Sequence, residues 1–326
     1  MALTDTTIYN ATLNATGGLG PLTRAKSQGD LVNAWEFLKN NQSYLSTYLQ
    51  TLANKVGRSV VEHQEVNQPL APFKQASMPY GDTIETISVG LAKEHAYQML
   101  SKKDRFDYSL PDVATHLSRE NRKSVYEQSF SYLEISKAFT SEGGMIDLLQ
   151  QILSVLYESN RADEYNYMEK QITNAYKSGN VLQVAVGDPS DDDFGKNVVQ
   201  AAKRLIGETK VTSNFNIAHR NLGNGNVKKH LILSAEADAS VAVNINATAY
   251  NLGSLKYDAE DGTIPYFSDD NLVGVLMADN ALIVADTLPP MIQFSPIDSE
   301  TMMIKANLHV RQVMDVNPFA IIVAFV

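Results

Sequence analysis

The sequence of 326 residues predicts an α+β fold, and three observations carry this prediction. Apolar residues recur at helical spacing over residues 145–177, which is typical of one long helix. Apolar and polar residues alternate over residues 304–311, as in a half-buried strand. Between residues 58 and 130, short strand-like pieces are separated by Pro and Gly. Such a long, weakly patterned segment favours an extended hairpin over a compact domain.

Composition limits the classes of function. Hydrophobic residues make up 44% of the chain, enough to bury a substantial core. The net charge of -10 argues against a nucleic-acid reader, because affinity for the phosphate backbone comes from Lys and Arg. No cysteine is present, which excludes disulfides and thiolate metal sites. We expect neither a secretory signal nor a membrane span, since the apolar end at residues 319–326 is far shorter than the ~20 residues required.

The N-terminal 57 residues are predicted to form an arm followed by helix. Residues 1–27 are rich in Thr, Asn and Gly, so we expect an arm without a core of its own. Apolar residues at helical spacing from Leu31 to Leu52 predict one amphipathic helix or two short ones. The single tryptophan, Trp35, is expected to cover an apolar patch.

Residues 58–132 are predicted to form the extended hairpin and its flanking strands, with the tip between Leu100 and Asp112. Residues 133–180 contain the long helix, which Gly179 is expected to end. The predicted buried face comprises Met145, Leu148, Leu149, Ile152, Leu156, Met168, Ile172 and Ala175. The predicted solvent side comprises Glu158, Arg161, Asp163, Glu169 and Lys170.

Strand patterns dominate after Gly179. Buried strands are predicted at residues 181–186, 229–235 and 241–247. A helix carrying Phe194, Val198, Ala202 and Leu205 on one face is expected to start with a capping box formed by Ser190 and Asp193. Near the C-terminus, the predicted inward row of the last long strand is Ile304, Ala306, Leu308 and Val310.

The sequence carries no recognised catalytic or metal-binding motif. None of the six histidines has the spacing of a known metal motif, and the sequence contains no nucleophile elbow or phosphate-binding loop. Asp258, Glu260 and Asp261 are interpreted as a solvated acidic turn rather than a glycosidase pair. We therefore predict no catalytic residue, cofactor or metal site. A soluble α+β enzyme with a defined pocket remains an open alternative.

Two segments resemble the major capsid proteins of small short-tailed bacteriophages, whose shell fold is of the Hong Kong 97 type. The first is the stretch from Gln75 to Ile87, and the second leads from Leu110 to Tyr126. In that family they are the outgoing and returning limbs of an extended loop. The family-like residues, interpreted as an assembly motif, are Pro79, Tyr80, Gly81, Pro111, Asp112, Arg119, Asn121 and Arg122.

The resemblance implies a domain organisation. The long helix would be the family's spine helix, preceded by a motif ending in Ala138 and Phe139. The sequence shows no immunoglobulin-like module after Phe325, so we expect no added exterior domain. The implied segments are the N-terminal arm and helix (1–57), the extended loop (58–132), the peripheral domain with the spine helix (133–180), the axial domain (181–292) and the return strands of the peripheral domain (293–326).

The resemblance also implies a function. The chain would self-assemble, as hexamers and pentamers, into an icosahedral virion shell that encloses double-stranded DNA without sequence-specific binding. Assembly would take place in the host cytoplasm with a separate scaffolding protein, because no long charged helix precedes the arm, and with a portal protein. An encapsulin-like compartment shell is the alternative within the same fold, and it would be distinguished by cargo and the absence of packaged DNA.

Overall fold

A computed structural model describes residues 4–57, 68–75, 77, 81–92, 110–223, 227–249, 260–298 and 300–326, without the side chains of residues 55–57, 243–249, 260 and 261. The chain forms two compact units. Unit 1 comprises Met1–Gln68, Arg122–Glu164 and Leu288–Gln312. Unit 2 comprises Pro69–Asn121, Tyr165–Thr287 and Val313–Val326. Each unit has its own apolar core.

The N-terminal segment of unit 1 is helical, which corrects the prediction of an arm without a core. Helix α1 spans Asp5–Ala15, α2 spans Gln28–Lys39 and α3 spans Gln42–Thr51, followed by a π-helical turn at Leu52–Gly57. Ile8, Tyr9 and Leu13 of α1 are buried in the core of unit 1. Their spacing places them on one face of a helix, and the surrounding Thr and Asn residues hid this short repeat in the sequence.

Helix α2 packs on α4, which spans Tyr132–Thr140. The Trp35 ring stacks on Phe139 with centroids 5.2 Å apart and lies 5.1 Å from Tyr132. Trp35 is 4% exposed, so the prediction that it covers an apolar patch is confirmed. Ser131 and Glu134 form a capping box at the start of α4.

The long helix is confirmed as one continuous element, α5, spanning Gly144–Lys177. All eight residues of its predicted apolar face are buried. Its first half belongs to unit 1 and its second half to unit 2. After the helix, Gly179 adopts a left-handed conformation at φ 73°, as expected of a residue that ends a helix. Among the residues that the structure describes, no helix combines the length and apolar character needed to cross a membrane.

The predicted solvent side of α5 contains one error, Glu169, which is 3% exposed. Its carboxylate accepts hydrogen bonds from the Thr173 hydroxyl at 2.7 Å and from the Ser268 backbone N–H and hydroxyl, each at 2.6 Å. A buried carboxylate requires such partners, because desolvation otherwise disfavours its charge. Because its partner Ser268 is distant in sequence, the prediction relied on helical periodicity alone and assigned Glu169 to the solvent side.

A four-stranded sheet has the order β1-β2-β10-β9. Strand β1 spans Thr83–Val89, β2 spans Val113–Ser131, β9 spans Leu282–Phe294 and β10 spans Met303–Val316. The predicted inward row of β10, from Ile304 to Val310, is confirmed, since each of its members is at most 2% exposed. Strands β2, β9 and β10, like α5, each run from one unit into the other.

Unit 2 is built around a five-stranded mixed sheet of order β3-β11-β8-β6-β7. Strand β11 is parallel to β3 and antiparallel to β8, and β6 is parallel to β7. Helix α6 spans Phe194–Glu208 and buries the predicted face beginning at Phe194. The sheet strands are β3 (Leu182–Val184), β6 (Lys229–Ser234), β7 (Glu260–Ile264), β8 (Gly274–Ala278) and β11 (Ile322–Phe325).

Four further local predictions in unit 2 differ from the structure. The predicted buried strand at residues 181–186 is reduced to β3, in which Leu182 and Gln183 are exposed. Glu260 and Asp261, interpreted as part of an acidic turn, belong to strand β7.

Residues 241–247 belong to helix α7, Ala235–Ala249, rather than to a strand. Alanine favours a helix, acidic residues in the first turn interact well with its dipole, and the Ser234 hydroxyl accepts from the Ala237 N–H at 3.3 Å. Together, these helix-favouring interactions outweigh the strand preference of the alternating Val and Ile residues, on which the prediction was based.

The start of α6 also differs from the prediction. The Ser190 N–H and hydroxyl both bond to the Asp188 carboxylate, at 2.9 and 2.6 Å, and Asp193 makes no side-chain cap bond. The acidic run therefore forms a turn before the helix, not a capping box. These hydrogen bonds from Ser190 lower the pKa of Asp188 below its usual value.

The two faces of α5 provide a test of the fold. We expect Ile152→Asp, which places a charge at a position 1% exposed, to lower the free energy of unfolding by more than about 4 kcal/mol. The matched control is Val155→Asp, one turn away at 43% exposure, with an expected cost below about 1 kcal/mol. Chemical denaturation followed by circular dichroism measures both, and equal costs would contradict the assignment of the buried face.

Candidate assembly site

The predicted hairpin is present in unit 2 as the antiparallel pair of β1 with the first part of β2. Thr83 lies opposite Arg119, and Val89 lies opposite Val113. Beyond the last pair, the Gly90 N–H donates to the Asp112 carbonyl at 2.7 Å. The described parts of both limbs therefore pair as predicted, while residues 76, 78–80 and most of the predicted tip lie outside the described residues.

One face of this hairpin is exposed and carries four large aliphatic side chains. Because side chains alternate along a strand, odd-numbered residues of both limbs share the outward face. Ile87, Val89, Val113 and Leu117 on that face are 50–60% exposed. On the opposite face, Ser88 and Ser118 are buried. Polar residues lie among them on the same face, namely Thr83, Glu85, Thr115 and Arg119. A monomeric soluble protein rarely leaves several large aliphatic side chains together in water, so the hairpin has the character of an interaction surface. We call these four aliphatic side chains the hairpin face.

The inner face of the hairpin limb in β2 is anchored by polar contacts to β10. The Asp315 carboxylate accepts from the Ser118 hydroxyl at 2.7 Å and lies 2.8 Å from the His116 Nε2. The Asn121 side chain donates to the Met314 carbonyl at 2.6 Å and accepts from the Met314 N–H at 2.9 Å. Asn121 thus bonds to Met314 much as a neighbouring strand backbone would, and it fixes β2 against β10.

A buried polar network in unit 1 follows directly along β2. Arg122 is 2% exposed, and its guanidinium donates to the side-chain oxygens of Gln312, Tyr126 and Asn160. The Gln312 amide donates in turn to Glu164 at 2.7 Å. We call these five residues the Arg122 network. It joins β2, β10 and α5 within unit 1, and it supplies hydrogen-bond acceptors to a guanidinium that would be costly to bury alone.

Tyr126 lies at the solvent side of the Arg122 network. Its hydroxyl accepts from Arg122 at 2.7 Å and donates to the Asp163 carboxylate at 2.8 Å. Partial burial and the bond to Asp163 raise the pKa of Tyr126 to about 12. The phenol therefore stays neutral at physiological pH and acts as a hydrogen-bonding link. Within the described ranges, no three His, Asp or Glu side chains come together as a metal site.

The eight motif residues are distributed over several environments. Pro79 and Tyr80 lie outside the described residues, and Gly81 precedes β1. Pro111 and Arg119 are exposed, while the Asp112 carboxylate pairs with Arg220 at 2.9 Å. Asn121 and Arg122 are neighbours in β2 but bind different partners. The motif is therefore not one cluster. Pro111 and Arg119 face solvent, whereas Asn121 and Arg122 make contacts within the subunit.

Sequence reasoning missed the partners of the motif residues. Asp315, Gln312 and Arg220 are distant in sequence from β2, and no local pattern marks them. Asn160 and Glu164 did carry a signal. They continue the four-residue spacing between buried Leu156 and buried Met168, which places them on the apolar face of α5. A polar residue on such a face is expected to have a buried partner.

The Arg122 network can be tested by truncation. We expect Arg122→Leu to lower the free energy of unfolding by about 3–5 kcal/mol, because the buried side-chain oxygens of Gln312 and Asn160 lose a charged donor. Arg119→Leu, three residues earlier and exposed, is the control, with an expected change within about 0.5 kcal/mol. Urea denaturation measures both. A tolerated Arg122→Leu would show that the network does not stabilise unit 1.

The raised pKa of Tyr126 predicts a stability change in alkali. The folded pKa of about 12 exceeds the ordinary value of 10.0, so this contribution is complete below pH 10 and is lost as the pH rises towards 12. Tyr126→Phe should flatten the pH dependence of the free energy of unfolding within that window. Absorbance titration of the folded protein should also lose one phenol that ionises near pH 12. An unchanged titration curve would contradict the assignment.

Comparison with known proteins identifies the family. A model described as Phi29-like phage major capsid protein matches residues 20–326. The major capsid protein of Bacillus phage B103 is 28% identical over 297 residues, which cover 88% of this chain and 64% of that protein. The major capsid protein of Bacillus phage GA-1 is 26% identical over 98% of this chain and 68% of its own length. The chain thus spans about two thirds of these relatives.

Solved structures agree at the level of the fold. The capsid structure of Staphylococcus phage Andhra superposes with a TM-score of 0.57 at 10% identity, covering 80% of this chain and 84% of that chain. A chain from Mycobacterium phage Cain gives a TM-score of 0.55 at 10% identity, covering 82% and 92%. From the family match and these superpositions, the chain belongs to the Phi29-like phage major capsid protein family and has the Hong Kong 97-like fold.

Proposed function

We propose that this chain is the major shell subunit of a short-tailed phage and that it self-assembles into an icosahedral capsid. The observation that carries the proposal is the hairpin face, a row of aliphatic side chains that the subunit's own fold leaves half exposed. Covering such side chains with a second subunit contributes about 1 kcal/mol for each half-exposed group. Repeated at every subunit contact, this contribution favours a closed assembly over free subunits.

The hairpin has the form that such a contact requires. Its two limbs hold each other in register, and its inner face is fixed by Asp315 and Met314, so the outward row is presented without further ordering. Preorganisation lowers the entropic cost of association. We assign a contacting role to exposed Arg119 and to Pro111, and an internal bracing role to Asn121 and Arg122. Pro79, Tyr80 and Gly81 would position the outgoing limb.

The proposal extends to the partners of the subunit. Hexamers and pentamers of the chain would form the shell in the host cytoplasm, with a scaffolding protein and a portal protein. The net charge of -10 suits a surface that encloses double-stranded DNA without binding it tightly. We further propose that unit 1 contains the peripheral domain and that unit 2 contains the axial domain together with the extended loop. The role is structural and needs no cofactor.

The hairpin face gives a direct test of assembly. We expect the double variant Ile87→Asp, Leu117→Asp to melt like the unmodified chain, because both sites are more than half exposed. It should nevertheless fail to form particles, since two charges would be buried at each contact. Co-expression with the scaffolding protein, followed by sedimentation and electron microscopy, measures particle yield.

Val211→Asp provides the control for this test. Val211 is 78% exposed in unit 2 and lies outside the hairpin, so the variant should form particles at normal yield. Normal particles from the hairpin double variant would overturn the role of the hairpin face. An unmodified chain that remains monomeric with scaffold supplied would overturn the shell function as a whole.

A further inference from the structure

A loop distant in sequence holds the end of the hairpin in unit 2. The Nη2 of Arg220 donates to the Asp112 backbone carbonyl at 2.8 Å and lies 2.9 Å from the Asp112 carboxylate. The same carbonyl accepts the N–H of Gly90 from the other limb. Asp112 therefore joins both limbs to Arg220. The Arg220 side chain is only 17% exposed, so it is held more firmly than the partners of a typical surface ion pair.

The loop that carries Arg220 is braced from within. It connects the short strands β4 (Thr212–Ser213) and β5 (Leu222–Gly223), which pair antiparallel. The side chain of Asn216, 2% exposed, donates to the Arg220 carbonyl at 2.7 Å and accepts from the Arg220 N–H at 3.0 Å. Both backbone polar groups of Arg220 are thus fixed by one buried amide, which leaves little freedom to the residue that contacts the hairpin.

The loop is also tied to the C-terminal segment of unit 2. The Phe215 carbonyl accepts from the Ile322 N–H at 3.0 Å, and the Ala218 N–H donates to the Pro318 carbonyl at 2.9 Å. Between these ties, His219 has φ 51°, in the left-handed region that residues other than glycine rarely adopt. A conformation of this kind persists only where its surroundings determine it. Here the ties to Ile322 and Pro318 hold the loop in the conformation in which Arg220 contacts Asp112.

Space at the contact is limited. A Cβ added to Gly90 would lie 3.1 Å from the Asp112 carboxylate and 3.3 Å from its carbonyl. The two limbs therefore approach closely where Arg220 contacts Asp112. A side chain at Gly90 would force Asp112 to shift. Asp112 is therefore closely packed against Gly90 and bonded to Arg220, whose loop is held by the Asn216 side chain.

We propose that residues 214–221 form a bracket that fixes the direction of the hairpin, with Arg220 as its positioning residue. This inference rests on the proposed function, because the direction matters only if the hairpin face must meet a second subunit. Without the bracket, the two limbs of the hairpin open more often from the Asp112 end, and the hairpin samples more orientations. Productive contact then becomes rarer, and subunits join at incorrect angles.

Hydrogen exchange of the unassembled 326-residue chain tests the bracket separately from assembly. In Arg220→Ala, we expect amides of Thr83–Val89 and of Val113–Arg119 to exchange about tenfold faster, consistent with loss of a charge-assisted bond. Arg220→Lys should recover much of the protection, because one nitrogen makes both contacts. Arg204→Ala is the control, since Arg204 is exposed on α6 and its Nε lies 3.8 Å from the Glu208 carboxylate.

A second variant keeps the test decisive if Arg220→Ala lowers global stability. Asp112→Ala removes only the carboxylate contact at a side chain 75% exposed, and we expect a smaller increase in exchange of about threefold. Electron microscopy should then show fewer or misshapen particles, ordered as Arg220→Ala, Asp112→Ala and Arg220→Lys from most to least affected.

The outcomes separate the two proposals. Unchanged hairpin exchange in both Arg220→Ala and Asp112→Ala would overturn the bracket, whatever the particles look like. Faster exchange with particles of normal yield and shape would overturn its role in assembly. Failure of the unmodified chain to assemble would overturn the shell function instead, while the exchange data would still report on the contact between Arg220 and Asp112.

Discussion

The buried guanidinium of Arg122 is the constraint on which the arrangement of unit 1 depends. A guanidinium that is 2% exposed needs hydrogen-bond acceptors in place of water, and the acceptors of its two terminal nitrogens come from three separate elements. Gln312 belongs to β10, Asn160 to α5 and Tyr126 to β2 itself. None of these elements can shift against the others without breaking a buried bond. The Arg122 network therefore specifies register as well as contributing stability.

Strand β2 reverses the usual relation between burial and polarity. Three of its even-numbered residues are polar and point inward, where Ser118 contacts Asp315, Glu120 contacts Thr287 at 2.6 Å and Arg122 contacts its network. Its odd-numbered residues in the hairpin include the aliphatic side chains of Val113 and Leu117, which point to solvent. A strand that only served its own subunit would gain by the opposite pattern, because aliphatic burial stabilises and polar burial costs. The reversal is explained if the outward row is buried by another copy of the chain.

The sequence predicted those elements whose pattern is long or whose chemistry is local. Helix α5 repeats its apolar spacing over 34 residues, so a single polar interruption could not mask it. Strand β10 was predicted from the alternation over residues 304–311, whereas the two hairpin limbs were predicted from the family resemblance of residues 75–87 and 110–126. Helix α1 was missed because only three large apolar residues mark it, and residues 241–247 were misassigned because Val and Ile alternate within a helix. Short patterns leave tertiary context to decide.

The candidate site was less predictable than the fold, for a physical reason. The hairpin face follows from strand periodicity and could be seen in the sequence, but the groups that hold it come from distant parts of the chain. Arg220 lies in a loop whose conformation depends on the buried amide of Asn216 and on ties to the C-terminal segment. No local propensity encodes a contact between Arg220 and Asp112. The position of the hairpin face therefore depends on tertiary contacts, even though the face itself follows from the local strand pattern.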